Sequence, residues 1–133
     1  MKKLVNLLLF LTLLAGTSSA LQAQTGRVQF LHNAPDPALS DVKVFVNGDS
    51  VLSSFSFRDA TPFLDLPAGQ QRVNLTPLGA IDTTNSLLAF DVNVTANQAD
   101  YAIVNGVATP GNFAPNPEGN STAAQAFQFP ADT

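Results

Sequence analysis

His32 is the one histidine of the 133-residue chain, and Asp36 and Asp41 follow it closely. An imidazole beside carboxylates is the smallest set that moves protons near neutral pH, because the ring titrates there and a carboxylate orients it. Nucleophilic catalysis would need an activated serine as well, and the chain has no G-x-S-x-G elbow. Zinc needs three or four good ligands, more than one histidine supplies in a chain with no cysteine. The ten acidic residues show no spacing that singles out a pair for hydrolysis. The expectation is therefore a protein without catalysis. Calcium suits the available donors better, since it accepts about six to eight oxygens from carboxylates, amides and carbonyls. Asp36 and Asp41 are its candidate ligands. Phe45 completes the candidate set for a binding site: it shares parity with Lys43 and Asn47, so it points away from the apolar face of its strand and offers a ring to a glycan. A plainer reading stands beside each. His32 shares parity with Val28 and Phe30, which makes it a core histidine held by a carbonyl or carboxylate, with Asp36 or Asp41 capping the corner. Phe45 packs under the tail or an opposing edge.

The elements that must position these residues are strands. Val28 and Phe30 alternate with polar neighbours, and Val42, Val44 and Val46 alternate with Lys43 and Phe45. Period-two alternation rich in β-branched residues marks strands with one buried face. Pro35 and Pro37 interrupt the ladder between the two runs, and Asn33 and Asp36 suit a corner. Asn47-Gly48 is the strongest short hairpin signal, because type I′ turns need positive φ at both central residues. The return strand covers Val51 to Phe57, with Val51, Phe55 and Phe57 on one face. Phe63–Leu66, Gln71–Thr76, Leu88–Val94 and Tyr101–Val104 follow, separated by Pro67-Ala68-Gly69 and by polar connections. Seven short strands at such spacing predict an all-β sandwich over residues 24–108. Residues 109–133 are rich in proline and glycine. They are expected to dock through Phe113 and a short edge strand near 126–129.

The order of motifs adds a resemblance. LHNAPDPALSDVKVFVNG, a strand, and then FLDLPAGQQRVNLTPLG resemble the bacterial DUF4397 family, whose members carry a His-x-x-Pro-Asp element, a Val-rich strand ending in Asn-Gly or Asp-Gly, and a Leu-x-Leu-Pro-Ala-Gly turn. The match covers about Arg27 to Ala108. It implies an immunoglobulin-like antiparallel β-sandwich in secreted or cell-surface proteins, and the family has no assigned function. Tandem copies are common among its members; no internal repeat is visible in this sequence.

Destination and partners follow from the ends of the chain and its charge. Lys2 and Lys3 precede an apolar run from Leu4 to Ala15 and small residues through Ala20, the pattern of a secretory signal peptide over residues 1–23, cleaved after Ala20 or Ala23. The run is shorter than the ~18 residues of a membrane span, and no span is expected in the mature chain. Without cysteine, the exported domain has no disulfide and no lipoprotein anchor. Removing Lys2 and Lys3 takes the formal charge from −4 to −6. An acidic surface without clustered Lys or Arg excludes nucleic acid as a partner. What remains is an exported structural or interaction module of the bacterial envelope or surroundings, whose partner is a surface or extracellular protein or a glycan. The alternative is a calcium- or carbohydrate-binding module.

Overall fold

A computed structural model describes residues 23–108 and 125–131; residues 1–22, where the signal peptide is expected, the segment 109–124 with Phe113, and residues 132–133 lie outside the described residues. The described residues form eight strands: β1 (Thr25–Asn33), β2 (Asp41–Val46), β3 (Asp49–Ser56), β4 (Leu64–Pro67), β5 (Gly69–Thr76), β6 (Leu88–Val94), β7 (Ala99–Asn105) and β8 (Gln125–Pro130). They make two four-stranded sheets, β4-β1-β7-β8 and β3-β2-β5-β6, that pack as a sandwich. The seven alternating runs correspond to β1 through β7, and the edge strand near 126–129 is β8. The all-β, immunoglobulin-like sandwich holds in class and layering. Its pairings are antiparallel except β1 with β7, which runs parallel in register from Arg27↔Ala99 to Asn33↔Asn105.

The core is the sum of the inward parities. Val28 and Phe30 of β1, Val42, Val44 and Val46 of β2, Val73 and Leu75 of β5, Val92 and Val94 of β6, and Ala102 and Val104 of β7 form one buried cluster. Asn47 (φ 51°) and Gly48 (φ 90°) take the two positive angles that the hairpin turn requires.

One strand departs from the simple alternation. The β2–β3 register shifts between Val42 and Val44 and again between Val44 and Phe45, so Leu52 lies opposite Val44 and Phe55 opposite Val42. The expectation that Val51 shares the face of Phe55 is thereby corrected: Phe55 is buried, whereas Val51 is 37% exposed. A bulge adds residues to one strand of a pair and changes which parity points inward.

Candidate functional site

Proline controls the corner that holds the first candidates. Pro35 and Pro37 take the chain out of β1, and one 3-10 turn, Pro37–Leu39, carries it to β2. Asp36 caps that turn: its Oδ1 accepts from the Ala38 amide at 2.8 Å, and its Oδ2 accepts from the Ala108 amide at 2.7 Å. Asp36 is 2% exposed, and its bond to Ala108 ties the corner to the chain just past β7. His32 sits beneath. Its Nε2 lies 2.7 Å from the Leu39 carbonyl and its Nδ1 accepts from the Ala34 amide at 3.3 Å. The ring therefore carries its proton on Nε2. It packs against Phe55 at 5.1 Å and Phe57 at 6.3 Å between centroids. Burial lowers its pKa from the ordinary value; the Leu39 carbonyl and the charges of Asp59 and Asp41 act in the opposite direction.

Asp41 is exposed, and its Oδ1 accepts from the hydroxyls of Ser54 (2.8 Å) and Ser56 (3.2 Å), joining β2 to β3. Phe45 points away from the core cluster yet is 2% exposed. Lys43 Nζ lies 4.9 Å from its ring centroid and donates to the Ala80 carbonyl. Asn74, opposite Phe45 on β5, donates to the Ser86 hydroxyl. Both bonds fasten the β5–β6 connection to this face. Among the described residues no group of three His, Cys, Asp or Glu side chains is placed to hold a metal ion. The carboxylate of Asp36 is met by amide hydrogens, which are partners for an anion and leave those lone pairs unavailable to calcium. Three of the four candidates are thus interior, and their bonds are those of a framework.

The outer face of the β4-β1-β7-β8 sheet presents what spacing alone did not single out. Leu31, Ile103 and Phe127 are opposite one another across β1, β7 and β8, and so are Gln29, Tyr101 and Phe129. Phe63 extends the second row, with centroids 5.7 Å from Tyr101, and Tyr101 lies 5.8 Å from Phe129. Arg27 rests over Phe63. Phe127 is 48% and Phe129 43% exposed. At one end of the face, Arg58 takes a left-handed backbone (φ 78°), donates its amide to the His32 carbonyl, and borders an open cavity of about 330 Å³ floored by Leu31 and Ile103. The signal was present in the sequence: Tyr101–Val104 is apolar on both parities, and the outward half of that pattern, Tyr101 and Ile103, builds this face.

The sequence profile of a domain of unknown function, DUF4397, matches residues 26–127, which takes in the chain from β1 into β8. No curated protein matches the chain.

Proposed function

The chain belongs to the DUF4397 family, and from that premise we propose that it is an exported interaction module that binds a surface or extracellular protein and performs no catalysis. The observation that carries this reading is the aromatic and aliphatic outer face of the β4-β1-β7-β8 sheet, with Phe127 and Phe129 nearly half exposed. A contiguous apolar face on a soluble domain is typical of a contact surface. The non-catalytic part of the reading is supported by His32, whose two ring nitrogens are both engaged by backbone groups of the corner. Export rests on the leader in residues 1–23.

A glycan is the second reading, because Phe63, Tyr101 and Phe129 form a line of rings. The rings are tilted by 42° and 56° to one another, which breaks the flat platform that a row of sugars stacks upon. A corrugated surface of rings and aliphatic side chains fits the side chains of a protein better.

The test is retention on the producing cells. Labelled protein from Gln24 to Thr133 is added to those cells, beside Phe129→Ser and Tyr101→Ser variants whose melting has been checked. Protein retained as wild type and lost in both variants supports the reading, provided protease treatment of the cells abolishes retention. Retention that survives protease but is lost after glycosidase treatment favours the glycan. Equal retention of all three proteins, or of none, overturns the assignment of this face.

A further inference from the structure

A sandwich of two open sheets has four edge strands, and an unprotected edge pairs with other strands unless something blocks it. In this molecule three edges are blocked. β4 is four residues long, with Asp65 within it and Pro67 at its end. β3 is paired to β2 through two register shifts, which distort the edge. On β6 the Gln128 side chain occupies one residue's peptide groups: its Oε1 accepts from the Asn93 amide and its Nε2 donates to the Asn93 carbonyl. Asp91 of the same strand pairs with Arg72.

Apart from Pro130 at its end, β8 has none of these protections. Its sequence, QAFQFP, carries no charge, and its register with β7 runs unbroken over six residue pairs. Among the described residues no strand lies on its far side. The Ala131 amide donates to the Ala99 carbonyl, which sets the phase of the ladder. In an antiparallel pair, bonded and non-bonded residue pairs alternate. Phe127 and Phe129 therefore spend their peptide groups on β7. Ala126 and Gln128 direct theirs to the open side.

We infer that β8 pairs antiparallel with β8 of a second copy of this chain about a two-fold axis at Phe127. With that register Ala126 faces Gln128 of the partner copy twice over. Each such pair exchanges two hydrogen bonds, so every outward amide and carbonyl of these residues is satisfied. Phe127 faces its own counterpart in the non-bonded position, where side chains approach most closely. The result is one eight-stranded sheet, β4-β1-β7-β8-β8-β7-β1-β4, with the aromatic face continuous across the seam. Two features select a second copy as the occupant. The register is self-complementary, as a two-fold contact must be. The protein is acidic, and β8 is a stretch where two like-charged copies meet without opposing charges. The inference concerns the strand edge and stands whether or not the outer face binds a further partner.

The absence of cysteine makes the test direct. The chain from Gln24 to Thr133 contains both sheets entire and is used throughout. Sedimentation at concentrations on the order of 100 μM is expected to find a dimer for the wild type. Phe127→Lys, which sets two like charges opposite each other, is expected to weaken it at least about tenfold. Phe127→Cys is expected to form a disulfide-linked dimer under mild oxidation at least about tenfold faster than the control Ile81→Cys, because non-bonded strand neighbours lie within disulfide reach. Ile81 is a suitable control, being 91% exposed and remote from β8 in the chain. A monomeric wild type, a dimer unaffected by Phe127→Lys, or equal cross-linking at the two positions overturns the inference. If Phe127→Lys does not fold, the wild-type sedimentation and the cysteine pair decide alone.

Discussion

Burial separates the polar residues that hold this protein together from those that stay at its surface. His32 and Asp36 are both interior: His32 bonds backbone groups of the corner, and Asp36 accepts from the Ala38 amide of that corner and from the Ala108 amide past β7. That arrangement has a consequence for pH. Protonating Nδ1 would turn an acceptor into a donor facing the Ala34 amide, so the folded protein resists the second proton, in line with the lowered pKa. The unfolded chain binds that proton near the ordinary value, about 6.5. Folding therefore gains nothing from this residue below the folded pKa, and its full contribution is present above about pH 6.5. The expected outcome is a midpoint that falls as pH drops from 7 toward 5, above the range where ordinary carboxylates protonate. His32→Gln, which keeps a donor for the Leu39 carbonyl and does not titrate, should flatten that slope; an unchanged slope would assign it to another group. How much of this was legible varies by residue. The parity of His32 with Val28 and Phe30 gave its burial, and the proline pair gave the corner that Asp36 caps. Phe45 was misleading because parity reports which side of a sheet a residue faces, not whether a loop covers that side.

Among the elements, β1 is the most constrained, since it is central to its sheet, pairs with strands in both directions, and receives the corner at its end. Its approach to the β6–β7 turn is closest at Gly26, where a β-carbon would lie 2.3 Å from the Thr95 carbonyl oxygen and 2.7 Å from Val94 Cγ1. The first of these is backbone and does not yield as a side chain would. Gly26→Ala must therefore displace β1 or the turn, and the expected cost is about 1–3 kcal/mol, the range for overpacking a tight interior. A thermal melt of the variant checks this, and a midpoint within a degree of wild type would show that the turn gives way freely. Alternation found most of the strands because each sheet buries one face, whereas β7 reads as a run apolar on both parities and β8 follows from the phenylalanines of the tail. The pairing of β1 with β7 was not legible. Their residues lie about seventy positions apart, and apolar periodicity says which face is buried without saying which strand is the neighbour. The bulge in β2–β3 was hidden for a related reason, since Val51 is as apolar as the residues that do point inward.

The whole molecule adds charge to this picture. Over residues 24–133, ten acidic residues face four basic ones, Arg27, Lys43, Arg58 and Arg72. The basic residues are largely spoken for by rings and carbonyls: Arg27 lies over Phe63, Lys43 over Phe45 and Arg58 over Phe57. The one salt bridge among the described residues, Arg72–Asp91, joins two well-exposed side chains and contributes little to stability. Long-range repulsion among the acids is then the main electrostatic effect of folding into a small volume, and it opposes the folded state. Salt screens that repulsion over about 10 Å at 0.1 M and over shorter distances as it is raised. The melting midpoint at neutral pH is therefore expected to rise with sodium chloride, most steeply at low ionic strength, and to level once the separations between acids exceed the screening length. Sodium chloride is the right probe, because strongly excluded salts such as sulfate raise the midpoint through apolar burial as well. A midpoint that falls with added chloride would mean that the few attractive contacts outweigh the acidic excess, and would move attention to Arg72 and the cation–ring pairs.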